Sequence, residues 1–198
     1  EISLGLVGSE MCIRDRSIDM GFDGTDFSKV QELCEKIGVE YIIEKTDIAE
    51  VVFDIRKEKN PCSLCANLRR GAINSVAVRE GCNKIALGHN QDDVLETFLL
   101  NLFYTGSIGT FSPVSHMDRT GITLIRPLVY TPEKETKRFV KKNNLTVMPK
   151  VCPMDGTSKR EDMRLMIFSL QKNIPMIRAN LFGAIQRNLP DWKVKNKD

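Results

Sequence analysis

Short strand-like segments alternate with amphipathic, helix-length ones along most of this 198-residue chain, and this alternation limits the fold more than any other feature. Ser17–Met20 reads as the end of a strand, followed by a turn rich in Gly and Asp. Val30, Leu33, Cys34 and Ile37 then recur at i, i+3, i+4 and i+7, the period of a helix with one buried face, and Gly38 stops it. Glu40–Lys45 is a second strand, and Pro61 precedes a helix running from about Ser63 to Glu80. Lys84–Leu87 reads as a buried strand leading into a helix with Val94, Leu95, Phe98, Leu99 and Leu102 on one face. Ile122–Arg126 and Pro132–Lys142 give one more strand and one more helix. Strands separated by helices of this length imply a parallel sheet with right-handed crossovers. In such sheets ligands gather beyond the carboxyl ends of the strands, so the loops that follow the strands are the ones to read for chemistry.

The C-terminal third differs in texture. Ser158 and Glu161 form a Ser-x-x-Glu capping box, and Met163, Met166, Ile167 and Leu170 follow at helical spacing. This predicts a helical appendage on the sheet domain, bearing Lys159, Arg160 and Arg164. Hydrophobic residues make up 41% of the chain, enough for a core, while 28% are charged. No apolar run reaches the roughly 20 residues that a membrane-spanning helix needs. A net charge of +3 permits a nucleic-acid partner without requiring one. The apolar stretch Ile2–Val7 lacks the basic flank and the cleavage site of a signal peptide, and six cysteines are too few for a disulfide scaffold. A reducing cytoplasm is the expected compartment.

Three constellations can carry chemistry. Cys62 and Cys65 form a Cys-x-x-Cys pair, which suits half a zinc site, a redox disulfide or part of a cluster. No second pair completes a zinc site. Cys34 sits on an apolar helix face and reads as core, and Cys82 has no partner spacing. Cys152, outside any periodic pattern and followed by Pro153, resembles the end of a ferredoxin-type motif. Together Cys62, Cys65 and Cys152 suit an iron–sulfur cluster with one iron left open, an arrangement favouring sulfur chemistry. The second constellation is Gly88-His89-Asn90-Gln91-Asp92-Asp93, which joins a strand end to a helix start. Its carboxylates can complement the helix dipole or hold Mg²⁺ on a nucleotide, and His89 can orient a phosphate or donate a proton. The third is basic: Arg69, Arg70 and Arg126, with Lys159, Arg160 and Arg164, either a solvated surface or a phosphate-binding one.

Read together, Cys62-Ser63-Leu64-Cys65, Leu68-Arg69-Arg70-Gly71, Gly88-His89 with Asp92-Asp93 and Glu96-Thr97, Ile125-Arg126-Pro127-Leu128, and Cys152-Pro153 resemble the tRNA 2-thiocytidine family of PP-loop ATP pyrophosphatases, in order and rough spacing. The resemblance runs from about Ser17 to Leu189. It implies an α/β fold of the HUP type, with a parallel sheet flanked by helices and a small C-terminal helical appendage. It also implies an ATP-dependent sulfurtransferase that adenylates the C2 oxygen of a cytidine in the tRNA anticodon loop, after which sulfide displaces AMP. On that pattern Cys62, Cys65 and Cys152 hold a [4Fe–4S] cluster. Gly88, His89, Asp92, Asp93 and Arg70 sit at Mg²⁺-ATP, the aspartates and the Cys-x-x-Cys pair being the catalytic set. A sulfur donor such as a cysteine desulfurase and a second copy of the chain are the expected partners besides tRNA. The 2-thiouridine and lysidine synthetases are the neighbouring alternatives, and a non-catalytic metal-binding tRNA module is a third.

Two departures from the pattern stand out. Asp155 occupies a position where some relatives have a further cysteine. The Ser-Gly-Gly-x-Asp-Ser loop that would cradle the ATP phosphates has no match, Gly5-Leu6-Val7-Gly8-Ser9 being a poor likeness. Residues 1–16 are therefore expected to be a non-native junction, 17–145 the PP-loop domain without its first strand and phosphate loop, and 146–198 the segment facing cluster and tRNA. Strands at Ser17 and Lys84 are then expected to lack a neighbour, leaving a chain that is oligomeric or poorly soluble and binds ATP negligibly.

Overall fold

A computed structural model describes residues 13–149 and 151–193. Its elements follow in chain order: β1 (Arg14–Asp19), α1 (Ser28–Ile37), β2 (Glu40–Lys45), a π-helical turn (Glu50–Arg56), α2 (Pro61–Arg79), β3 (Lys84–Ala86) and α3 (Gln91–Leu100), which runs on into a second π-helical turn (Asn101–Thr105). Then come β4 (Val114–Met117), β5 (Ile122–Ile125), α4 (Glu133–Lys142), α5 (Lys159–Asn173) and α6 (Ile177–Asn188). Gly38 ends α1 in the left-handed region, at φ 70°, which glycine enters without a Cβ penalty. The Gly38 and Val39 amides close the helix onto the carbonyls of Glu35 and Cys34.

The parallel pairing expected from the alternation is present: β1 lies parallel to β2, and β3 parallel to β5. The sheet nevertheless differs from the expected one in two ways. It is in two pieces, β1-β2 and β3-β5-β4, and β4 is antiparallel. The antiparallel strand arises from a local hairpin, whose turn is closed by the amides of Thr120 and Gly121 on the Met117 carbonyl. Strand β1 begins at Arg14, within the segment expected to be a foreign junction, while Gly5–Ser9 and Cys12 lie outside the described residues. Charge holds the start of β1: Arg14 and Arg16 both pair with Glu80 at the end of α2, at 2.8 and 3.4 Å. As expected, β1 and β3 each lack a neighbour on one side: among the described residues β1 pairs only with β2, and β3 only with β5. Between β1 and β3 lies a cleft of about 340 Å³, lined by Ile13, Ile37, Val39, Ile73, Val76 and Ile85 among others. Of the α1 stripe only Cys34 is buried; Val30 and Leu33 are half-buried, and Ile37 faces this cleft and is exposed.

Apolar burial is concentrated away from the sheet. The larger core joins Val94, Leu95 and Leu99 of α3 to Met163 and Ile167 of α5, Phe182 and Ile185 of α6, and Val129 and Trp192. Phe182, Trp192 and Tyr130 meet edge to face, with centroids 5.5–6.0 Å apart. The C-terminal helices expected to be an appendage thus supply much of the main core. The α5 stripe is narrower than its sequence suggests, with Met166 and Leu170 left exposed. Ser158 caps α5 by accepting from the Glu161 amide at 3.4 Å, while the Glu161 carboxylate pairs with Arg164 instead of completing the box. A smaller core of Ala77, Ile85, Ile122 and Leu124 fastens α2 to the sheet.

Truncating the fully buried Leu95 to Ala should cost about 2–5 kcal/mol of unfolding free energy by loss of contacts and a residual cavity. Leu165→Ala, on the exposed side of α5, should stay within about 0.5 kcal/mol. Urea denaturation of the two variants checks the placement of the core.

Candidate functional site

Because β3 and β5 are parallel neighbours, their carboxyl ends deliver Leu87–His89 and Arg126 to the same rim of the sheet. The Leu87 amide extends the ladder by donating to the Ile125 carbonyl at 2.9 Å. Gly88 has open space where a Cβ would stand, so packing does not demand glycine there. His89 is half-buried, its Nδ1 is enclosed with no hydrogen-bond partner, and its ring lies 4.8 Å from that of Phe111. Burial holds the imidazole below its ordinary pKa. Asp93 opposes that shift, while the charges of Arg126, Arg160 and Arg69 add to it.

Both readings of the aspartate pair can be set against the geometry. The Asn90 side chain accepts from the amides of Asp92 and Asp93 at 2.9 and 3.2 Å, and an Asp93 oxygen accepts from the Asn90 amide at 2.9 Å, a complete capping box on α3. The other Asp93 oxygen takes Arg160 at 3.1 Å. Asp92 accepts from the Glu133 amide at the start of α4, at 2.7 Å, and from Arg178 of α6. All four carboxylate oxygens are engaged within the chain, which is the capping and tying role. Arg164 adds a pair with Glu133 at 2.7 Å.

Glu96, one turn further along α3, is 7% exposed and meets Arg160 at 3.8 Å. Burial pushes its pKa up to about 7, with Arg160 opposing and Asp93 reinforcing the shift. It lines a polar cavity of about 180 Å³ with Asn90, Asp92, Asp93, Arg160 and Arg164.

The thiols gather at the start of α2. Cys62 is exposed and Cys65 half-buried, one turn apart, and Cys152 lies half-buried in the segment before α5. Burial raises the Cys65 thiol pKa, Arg69 lowers it, and the nearby Cys152 and Cys62 raise it again. Among the described residues, no three His, Cys, Asp or Glu side chains stand close enough to hold a single metal ion. Cys34 is buried and donates to Asp15 at 3.4 Å, as a core thiol should. Arg70 is exposed and close enough to Arg126 to lower that guanidinium's pKa, after the larger effect of burial. His116 stands on β4 beside Thr123, remote in role from these groups. Arg178, Glu96 and Phe111 had no assigned role from sequence. Arg178 meets Asp92 across 86 residues, a contact that no local pattern announces.

The fold and this rim define a class. The chain belongs to the PP-loop domain family, which matches residues 23–169. Among curated relatives, the tRNA-cytidine(32) 2-sulfurtransferase of Citrifermentans bemidjiense is 37% identical over 177 residues, 88% of this chain and 69% of that protein. The enzyme of the same name from Syntrophotalea carbinolica is 36% identical over 187 residues, covering 91% and 72%. Of solved structures, the U34-tRNA thiolase NcsA from Methanococcus maripaludis with its [4Fe-4S] cluster superposes with a TM-score of 0.70 at 27% identity. That match covers 87% of this chain, which spans 59% of the thiolase.

Glu96 gives the site a measurable pH signature. Its folded pKa, about 7, lies above the ordinary 4.5, so its contribution to stability is full below pH 4.5 and is lost as pH rises through 7. Glu96→Gln mimics the protonated acid. It should match the parent near pH 4 and exceed it by about 3 kcal/mol at pH 8, in urea midpoints measured across that range.

Proposed function

We propose that this chain carries the catalytic part of an ATP-dependent tRNA sulfurtransferase acting on an anticodon-loop cytidine. The observation that carries the reading is the position of Arg69. One turn beyond Cys65, its charge acts both on that thiol and on His89, so the thiol centre and the nucleotide loop share one electrostatic neighbourhood. Adenylation and sulfur delivery at the same C2 atom require such closeness.

In the reaction, the C2 oxygen of the cytidine attacks the α-phosphorus of ATP and pyrophosphate leaves. Sulfide then adds at C2, and AMP departs with the original oxygen. Positive charge from Arg69 and Arg70 faces the phosphates that enter and leave. His89, kept neutral, offers one hydrogen bond without adding charge, and open space around Gly88 lets a ligand approach the backbone. Mg²⁺ arrives with the nucleotide, and a metal at Asp92 or Asp93 would share their oxygens with Arg178 and Arg160. These aspartates also hold the loop in place.

The donor set of Cys62, Cys65 and Cys152 fits a [4Fe–4S] cluster. Soft thiolates suit iron, and a cubane spreads its ligands over separate irons, whereas one zinc ion draws its sulfurs to about 3.8 Å of each other. When bound, the cluster would offer an open iron for sulfide. The half-buried Cys65 thiol, costly to ionise by itself, gains its compensating charge from the metal. In this reading sulfur comes from a donor such as a cysteine desulfurase, and Phe168 and Met176 supply exposed apolar surface for a second copy. Cytidine is preferred to uridine because the cytidine-named relatives are 36–37% identical, against 27% for the uridine thiolase.

Anaerobic reconstitution with iron and sulfide tests the assignment. Replacing Cys62, Cys65 or Cys152 by Ala should each abolish the visible absorption, while Cys34→Ala and Cys82→Ala should retain it. Full absorption in Cys152→Ala would refute the three-ligand centre.

A further inference from the structure

Arg126 is an unusual arginine for a purely structural one. It is half-buried, its Nε is enclosed without a partner, Arg70 stands close by, and among the described residues no carboxylate pairs with it. Burying a cation beside another cation costs free energy, so stability alone does not account for the placement. What Arg126 does contact is the connection leading into β4. Its Nη1 donates to the Ser112 carbonyl at 2.6 Å and to Ser115 Oγ at 3.2 Å, and its backbone amide donates to the Pro113 carbonyl at 3.0 Å. The guanidinium carbon stands 4.9 Å from the centroid of the Phe111 ring, the same ring that meets His89 at 4.8 Å and 45°. Three side chains from three segments thus form a series, cation to ring to imidazole, at the carboxyl ends of β3 and β5.

We propose that Phe111 and Arg126 are positioning residues of the sulfurtransferase, fixing the His89 imidazole through the Phe111 ring so that it enters the reaction in one orientation and one neutral tautomer. The inference rests on the function proposed above for the role of His89, but the geometry it concerns is independent of that role. Phe111 covers His89 on the side of the β4 connection, and Arg126 locks the connection from β5. The charged groups acting on the imidazole are Asp93 of α3, Arg126 after β5, Arg160 of α5 and Arg69 of α2. With Nδ1 enclosed and unpartnered, only Nε2 is left to meet a substrate.

The chain has only two histidines, so ¹⁵N-histidine labelling gives a readable spectrum and His116→Gln assigns it. At fixed pH 8, without nucleotide, His89 should show two widely separated nitrogen shifts, the mark of one neutral tautomer. Phe111→Leu and Arg126→Met should move them toward the averaged values of a free ring, and Phe111→Tyr should restore the separation. Far-ultraviolet circular dichroism and a urea midpoint close to the parent's show that each variant is folded. In a tRNA thiolation assay the same two variants should lose kcat, on the order of a hundredfold, with KM for tRNA little altered and Phe111→Tyr recovering. His89 shifts unmoved in folded Phe111→Leu or Arg126→Met would overturn the positioning role. If the shifts move as expected but Cys152→Ala keeps the full cluster absorption, the proposed function fails instead.

Discussion

The first turn of α3 is where the rest of the molecule is tied together. Its amides are capped by Asn90, its two aspartates reach Arg160 of α5, Arg178 of α6 and the Glu133 amide that opens α4, and its apolar face begins one residue later with Val94 and Leu95. Polar ties and apolar packing thus start from the same point. The apolar part supplies the stabilisation. Ion pairs at this degree of burial return little net free energy once desolvation is counted, but breaking one leaves a charge without its partner. Their contribution is geometric: they set where the three C-terminal helices begin relative to the His89 loop. The C-terminal segment is thereby made part of the site.

The same ties decide the electrostatics of the rim. Because Asp92, Asp93 and Glu133 spend their charge on Arg160, Arg164 and Arg178, the carboxylates present little free negative field to a ligand. Arg69, Arg70 and Arg126 lack such partners among the described ion pairs, and their charge faces outward or toward His89. A neutral histidine amid uncompensated arginines suits polyanionic substrates, since each phosphate that enters relieves repulsion already built into the protein. Glu96 fits the same logic from the other side. Buried among Asp92, Asp93, Arg160 and Arg164, it keeps its proton up to about neutrality and so limits the negative charge gathered there.

Legibility from sequence followed the range of the interactions. Strand β2 and the Gly38 stop of α1 fell where local pattern put them, because period and cap chemistry are encoded within a few residues. Helix α3 and its Asn90 cap were legible for the same reason. Strand β4 was not, since its short, polar-rich run Val-Ser-His-Met carries little apolar alternation and becomes a strand only by pairing with β5. Helix α6 and Trp192 were missed although they complete the main core; Ile177, Leu181, Phe182 and Ile185 do recur at helical spacing, but nothing local announces that α3 and α5 cover them. At the site, the cysteines, His89 and the aspartate pair were visible as motifs. That Asp92 would meet Arg178 was not visible, since this partner stands 86 residues away. Phe111, in a connection without pattern, gave no signal at all.

The divided sheet bears on how the thiol centre is held. Cys65 Sγ lies 3.9 Å from Met20 Sδ, and Met20 directly follows β1, so the β1-β2 piece reaches the centre on one side while Arg69 links it to the β3-β5 rim on the other. Within this chain α2 is the element common to both. It carries Cys62, Cys65, Arg69 and Arg70, packs Ala77 onto the β3-β5 core, and ends at Glu80, where Arg14 and Arg16 hold β1. The contacts bridging the apolar cleft at that end are ion pairs with partly exposed members, each of which contributes at most about 1 kcal/mol in such a setting. Relative movement of the two pieces is therefore resisted more by the packing of α2 than by direct pairing between β1 and β3. Any displacement that α2 undergoes is carried to Cys62, Cys65 and Arg69 together, so these two thiols and the charge acting on His89 move as one body.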